Sequence, residues 1–226
     1  MNFLHVLILS IVEGLTEFLP ISSTGHLILT SKLLDIQPTS FVKTFEIVIQ
    51  LGAIMAIVVL YFKKLVTSLD LLKKLFVAFL PTVVIGFVLY PFIKSFLLGS
   101  SSVTLWALFL GGIVLILLEK FLPNLHIPHS DLREPTYKQA FLIGIFQSFS
   151  IIPGVSRAAA TIMGGLLTGL NREMAVEFSF LLAVPTMFAA TIFDIYKSRQ
   201  TITTGGSITL FVLIYFITRG MKKQTT

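Results

Sequence analysis

The stretch Glu13-Gly14-Leu15-Thr16-Glu17-Phe18-Leu19-Pro20-Ile21-Ser22-Ser23-Thr24-Gly25-His26 lies inside an otherwise apolar run from Phe3 to Leu34, and its reading decides the fold. A helix that crosses a bilayer needs about 20 mostly apolar residues. Broken near its middle at Pro20-Ile21-Ser22-Ser23-Thr24-Gly25, this run leaves halves of only ~13 to 19 residues, which favours a re-entrant hairpin over two stacked spans. A second run, Ala140–Leu170, is interrupted in the same way at Pro153-Gly154-Val155-Ser156-Arg157.

Outward from these two breaks the sequence is uniformly lipid-like. Of its 226 residues 55% are hydrophobic and 12% charged, and the mean hydropathy is +0.92, a membrane composition rather than a globular one. Phe45–Phe62, Leu75–Phe92, Val103–Leu122 and Met174–Tyr196 read as spans, with a shorter candidate at Ile208–Ile217. No polar block is long enough to fold separately, so residues 1–226 form a single membrane domain. The first segment is expected to be retained as structure and not removed as a signal peptide, since Met1–His5 has no Lys or Arg, and Glu13 and Glu17 interrupt the apolar region. The net charge of +6 sits in short runs between spans, which fits positive-inside topology and not nucleic-acid binding. The absence of cysteine removes disulfides, thiolate catalysis and thiolate metal sites.

Lys63, Lys64, Lys73 and Lys74 flank one connection and Lys120, Arg133 and Lys138 another, whereas Lys94 to Ser102 carries one cation; the first two are therefore cytoplasmic. The first hairpin then enters from the outer side and the second from the cytoplasmic side, because three spans separate them. Lys197 and Arg199 fall outside in this scheme, against the charge rule. The fold expected is an all-α polytopic membrane protein of two inverted repeats, 1–122 and 139–226, each a re-entrant helical hairpin followed by transmembrane helices. By that symmetry one span is missing at the C-terminal end.

The polar residues carry chemistry. Glu13 and Glu17 are four apart and share a helix face; an acidic side chain at the bilayer centre costs about 2.5–3.5 kcal/mol, so the pair needs a cation, a proton or water. A hard divalent metal, Mg²⁺ or Ca²⁺, held with substrate phosphate fits them; the alternative is that both sit near the lipid surface and are solvated. Ser22, Ser23, Thr24, Gly25 and His26 offer hydroxyls, backbone N–H groups and an imidazole, although Ser, Thr and Gly before a helix also serve as caps. Arg157, just past Gly154 and Ser156 at a helix start, presents a planar fork to phosphate; its other role is to pair with Glu13 or Glu17 and hold the hairpins together. Gln147 sits relative to its turn where Glu13 sits relative to the first, within one residue, and Glu46 and Glu177 begin spans in corresponding positions. His5, His126 and His129 have no metal-like spacing.

The fourteen residues from Glu13 to His26, together with Pro153-Gly154-Val155-Ser156-Arg157, resemble the bacterial undecaprenyl-diphosphatase family, also called the bacitracin resistance protein family. Phe45-Glu46-Ile47-Val48-Ile49-Gln50-Leu51-Gly52 and Glu177-Phe178-Ser179-Phe180-Leu181-Leu182-Ala183-Val184-Pro185 also look like family blocks. The resemblance implies an inverted repeat and hydrolysis of undecaprenyl diphosphate to the monophosphate and phosphate on the outer face of the plasma membrane. It implies metal or proton chemistry at Glu13 and Glu17, a nucleophile at Ser23, acid/base or phosphate contact at His26 and phosphate binding at Arg157. Ser22, Thr24, Gly25, Gly154, Ser156 and Thr161 are expected to contact the substrate. Whether serine, histidine or water attacks stays open.

The chain departs from the family at Ser156-Arg157-Ala158-Ala159-Ala160-Thr161, where the usual pattern is Ser-Arg-Ser-Gly-Ala-Thr, and at the absent last span, which would suit a truncated or frameshifted copy. Expected partners are the bilayer, a polyprenyl diphosphate lipid and, as self-partner, a second copy in a homodimer. The rival functions are a lipid transporter or flippase, since broken helices in inverted repeats are a transporter design, and an inactive remnant.

Overall fold

The computed structural model describes residues 1–92, 101–121 and 134–198, whose regular secondary structure is helical, with no strand among them. The apolar candidate Ile208–Ile217, the cations Lys94, Arg133 and Arg199, and His126 and His129 lie outside the described residues. In chain order the helices are α1 (Phe3–Thr16), α2 (Ser23–Leu33), α3 (Ser40–Leu60), α4 (Phe62–Thr67), α5 (Leu69–Phe92), α6 (Ser101–Phe121), α7 (Tyr137–Ser148), α8 (Arg157–Leu167) and α9 (Arg172–Ser198).

Among the described residues four helices are long and apolar enough to cross a membrane, over Phe41–Leu60, Leu69–Leu89, Ser102–Lys120 and Arg172–Phe193. These are the four spans expected from the sequence, shifted by a few residues. The second begins early because its lysine is paired: Lys74 reaches Asp70 at 2.5 Å and Glu134 at 3.1 Å, so the first turns of α5 carry charge without leaving it unpartnered. Each broken run folds as two short helices joined at its break. α1 has 14 residues, α7 has 12, and α2 and α8 have 11 each; at 1.5 Å per residue the longest is about 21 Å, short of a hydrocarbon core of about 30 Å.

The larger core joins α5, α7 and α9. Leu71, Leu75 and Ala78 recur at helical spacing and meet Ala140 and Ile143 of α7 and Phe178, Leu181 and Leu182 of α9, all buried. α5 and α7 approach so closely that a Cβ on Gly144 would lie 2.0 Å from the Ala78 carbonyl oxygen, the small-residue contact by which helices associate in lipid. Gly144→Ala is therefore expected to destabilise the protein by about 3 kcal/mol or more, measured as a lowered midpoint of thermal unfolding in detergent; a variant as stable as the parent would contradict this packing. Gln147, fully buried, ties the same three helices: its Nε2 donates to Thr82 Oγ1 at 2.8 Å and its Oε1 accepts from Thr186 Oγ1 at 3.3 Å. A smaller cluster, Leu9, Leu27, Phe45 and Ile49, joins α1, α2 and α3.

One end of the bundle is held by ion pairs. Lys64 pairs with Glu177 at 2.7 Å, Arg172 with Glu119 at 2.7 Å, and Tyr137 donates to Asp70 at 2.6 Å. Gln139 Nε2 reaches the Thr168 carbonyl at 3.0 Å. The start of α7 and the end of α8 thus lie with the starts of α5 and α9 and the end of α6.

α6 is the most exposed of the four spans, yet it aligns the two breaks. A Cβ on Gly25 would come within 2.8 Å of Leu108, and one on Gly154 within 2.5 Å of the Thr104 carbonyl. Thr104 and Leu108 are one helical turn apart on one face, so both hairpin turns rest side by side on α6. Gly154 also needs glycine for its φ of +95°.

Candidate active site

The first break is built around Ser22. Its φ of 64° is a left-handed conformation that non-glycine residues adopt at a cost of about 1–3 kcal/mol. In that conformation its Oγ accepts from Gly25 N at 3.4 Å as the N-cap of α2, and its carbonyl accepts from His26 N at 3.1 Å and from His26 Nδ1 at 2.8 Å. A carbonyl only accepts, so Nδ1 carries a proton and Nε2 is left with a lone pair in the neutral ring. Ser23, buried at the first position of α2, donates its hydroxyl to Glu17 Oε2.

The second break delivers Arg157. Ser156 caps α8 by accepting from Ala159 N at 3.1 Å, which places Arg157 on the first turn. Its Nη2 donates to Glu17 Oε1 at 2.9 Å and its Nη1 to the Ser179 carbonyl at 3.2 Å. The Arg157 and Glu17 side chains are 10% and 6% exposed, so this is a buried pair whose loss on one side leaves an uncompensated charge. Phe18 and Phe180 pack edge to face beside it, ring centroids 5.2 Å apart. Glu17 thus joins the two hairpins, with one oxygen on the arginine of the second and the other on the serine of its own.

Glu13 is different. One turn before Glu17 on the same helical face, it is 1% exposed, and among the described residues neither carboxyl oxygen has a hydrogen-bond partner within bonding geometry. The groups that act on it electrostatically are Glu17, Arg157 and Glu46. Gln147, its counterpart by offset from the turn, is an uncharged and fully partnered side chain. One break therefore holds a hydrogen-bonded amide where the other holds a buried acid next to a second one, Glu17. Buried polar groups are normally hydrogen-bonded, so Glu13 stands out at this site as the buried acid that the described residues leave unsatisfied.

The remaining sequence candidates are placed as follows. Thr24 is exposed and receives a long contact from Gln50 Nε2 at 3.5 Å. Gly25 and Gly154 pack on α6, and Ser156 spends its hydroxyl as a cap. Thr161, fully buried, shares a hydrogen bond of 2.6 Å with Ser179 Oγ and donates back to α8. Glu46 accepts from Ser31 at 3.1 Å, whereas Glu177 belongs to the ion-paired end. Ala158 and Ala159 are buried in the α8 packing. Sequence reasoning assigned no role to Ser179, which holds the arginine through its carbonyl and Thr161 through its hydroxyl; its signal was a lone hydroxyl between two phenylalanines in a span.

Among the described residues no three His, Cys, Asp or Glu side chains cluster as a protein-only metal cage would. A hard cation that keeps its waters and takes most ligands from substrate phosphate needs only one or two carboxylates. The orphaned oxygens of Glu13 fit that requirement.

The sequence that carries these residues has relatives. The family model described as "Bacitracin resistance protein BacA" matches residues 6–224. A protein of Aquifex aeolicus named undecaprenyl-diphosphatase is 55% identical over 86% of this chain and 75% of its own length. Proteins of the same name from Sulfurihydrogenibium and Campylobacter hominis are 54% and 49% identical, over 88% and 96% of this chain and 78% and 84% of their own lengths.

Proposed function

This chain belongs to the bacitracin resistance protein family, and from that premise we propose that it hydrolyses undecaprenyl diphosphate to undecaprenyl phosphate and inorganic phosphate. The reaction recycles the lipid carrier of cell-wall synthesis and so confers bacitracin resistance. The observation that carries it is the linked set Ser23–Glu17–Arg157 beside the unpartnered Glu13. It joins a hydroxyl with a base already on its proton, a guanidinium suited to phosphate oxygens, and an acid free to take a cation.

In this reading Glu17 accepts the Ser23 proton as Oγ attacks the terminal phosphorus. The new Oγ–P bond replaces the bridging P–O bond, and undecaprenyl phosphate leaves. Water then releases phosphate from Ser23, with His26 Nε2 as the base that takes its proton. Arg157 neutralises charge on the transferred group, the main service a protein can render in phosphoryl transfer. Ser22, Thr24, Gly25, Gly154, Ser156 and Thr161 shape the two turns that receive the phosphates. A Mg²⁺ or Ca²⁺ ion would be held by Glu13, with Glu17 adjacent, and would supply charge neutralisation at the diphosphate.

The same proposal sets the protein in the bacterial plasma membrane as two inverted repeats, 1–122 and 139–226, with its site open to the outer side. The α7–α8 hairpin opens at the lysine-rich end, and α2 leads instead into the far end of α3, which supports that inversion. Its self-partner is a second copy of the chain, for which α6 is the available face.

Purified protein in detergent, with Mg²⁺ or Ca²⁺ added, is expected to release phosphate from a C55 diphosphate, and Ser23→Ala to lower the rate about a hundredfold or more. A transporter needs a path to both faces and no nucleophile, so well-folded protein that releases no phosphate in detergent would refute the hydrolase.

A further inference from the structure

Ser179 lies in α9 with no solvent exposure, between Phe178, which belongs to the larger core, and Phe180, which packs on Phe18. A hydroxyl buried there is a cost unless it is bonded. It lies 2.6 Å from Thr161 Oγ1, and Thr161 Oγ1 also stands 2.9 Å from the Arg157 carbonyl and 3.2 Å from the Ala158 carbonyl of its own helix. Carbonyls only accept, so the single Thr161 proton goes back to α8 and the Ser179 hydroxyl is the donor between the helices. The Ser179 carbonyl in turn accepts from Arg157 Nη1 at 3.2 Å. One residue of α9 therefore grips Arg157 at both ends, the backbone through Thr161 and the guanidinium directly.

We infer that Ser179 is a positioning residue for the reaction: its hydroxyl fixes α9 against the first turn of α8, and its carbonyl aims the Arg157 fork at the transferred phosphoryl group. The inference rests on the proposed hydrolysis for the identity of that group. Glu17 alone does not fix the fork. A guanidinium held only by the bond from Nη2 to Glu17 Oε1 can still turn about that bond, and a second acceptor on another helix sets its plane. Glu17 is also the group that takes the Ser23 proton in the proposed reaction, so its charge, and with it its hold on Arg157, falls as the Oγ–P bond forms. The Ser179 carbonyl keeps its dipole throughout. The N–H donors that these two acceptors do not use remain for phosphate oxygens.

Ser179→Ala nearly keeps the volume and removes the donor. It is expected to lower kcat/KM for the C55 diphosphate about tenfold or more and to raise the inhibition constant of inorganic pyrophosphate about fivefold or more. The midpoint of thermal unfolding in detergent should fall by less than about 3 °C, since a single bond between membrane helices adds little stability. An inhibition constant does not depend on how much of a preparation is folded, so a bond that merely ties α8 to α9 leaves it unchanged. Thr161→Val removes the acceptor of the same bond and should give the same losses, with the double variant no worse than either single one. In an Arg157→Ala background there is no fork to aim, and Ser179→Ala should lower the residual rate less than about twofold. A pyrophosphate constant within about twofold of the parent's, or an equal loss of rate with and without Arg157, would overturn the inference. If the parent releases no phosphate, the proposed reaction fails, and binding of inorganic pyrophosphate by isothermal titration decides the role of Ser179. No binding to the parent, or equal binding to the parent and to Ser179→Ala, then overturns the inference as well.

Discussion

Arg157→Ala is expected to lower phosphate release from the C55 diphosphate at least tenfold, a loss of about 1.4 kcal/mol or more in transition-state stabilisation, and to destabilise the protein as well. Both effects have one cause. The guanidinium is shared between Glu17 and the Ser179 carbonyl, so its removal takes away the charge facing the phosphates and strands a buried carboxylate. Breaking a buried ion pair from one side costs about 3–5 kcal/mol. Arg157→Lys keeps the charge and loses the fork, and should fall between the parent and the alanine variant in both thermal stability and rate. An alanine variant with unchanged activity would remove Arg157 from the site.

Glu13→Gln is expected to separate the two quantities. Activity should drop about a hundredfold or more, the scale on which charged groups acting in a reaction are lost, and stimulation by added Mg²⁺ or Ca²⁺ should disappear. Stability should stay level or rise, because Glu13 has no hydrogen-bond partner to lose and an unpaired amide costs less to bury than an unpaired carboxylate. Thermal unfolding in detergent and phosphate release on the same preparation decide it. A variant as destabilised as Arg157→Ala would mean that Glu13 is a structural acid, and one retaining its cation response would separate Glu13 from the metal.

The opposite signs show where the sequence was and was not sufficient. Both acids stand in one apolar run, four residues apart, and by type and spacing they are equivalent. The fold divides them: Glu17 receives Arg157 from 140 positions along the chain, and Glu13 receives no hydrogen bond of that kind from the described residues. Likewise Gln147 and Glu13 match in position relative to their turns, but Gln147 meets hydroxyls of α5 and α9 that no local pattern announces.

What the sequence by itself determined was every element whose cause is local: the four spans from their length and apolarity, the two breaks from runs interrupted near the middle by proline, glycine and polar residues, and the capped helix start at Ser22. It also held the residues of the candidate site, because polar side chains in a lipid-soluble chain are too costly to keep without a use. Only the tertiary structure decided which of them touch. That depends on Gly25 and Gly154 fitting against one face of α6, on Ser179 meeting Arg157 and on α8 lying open beside α6, contacts between residues far apart in the chain whose partners are fixed by packing and not by period.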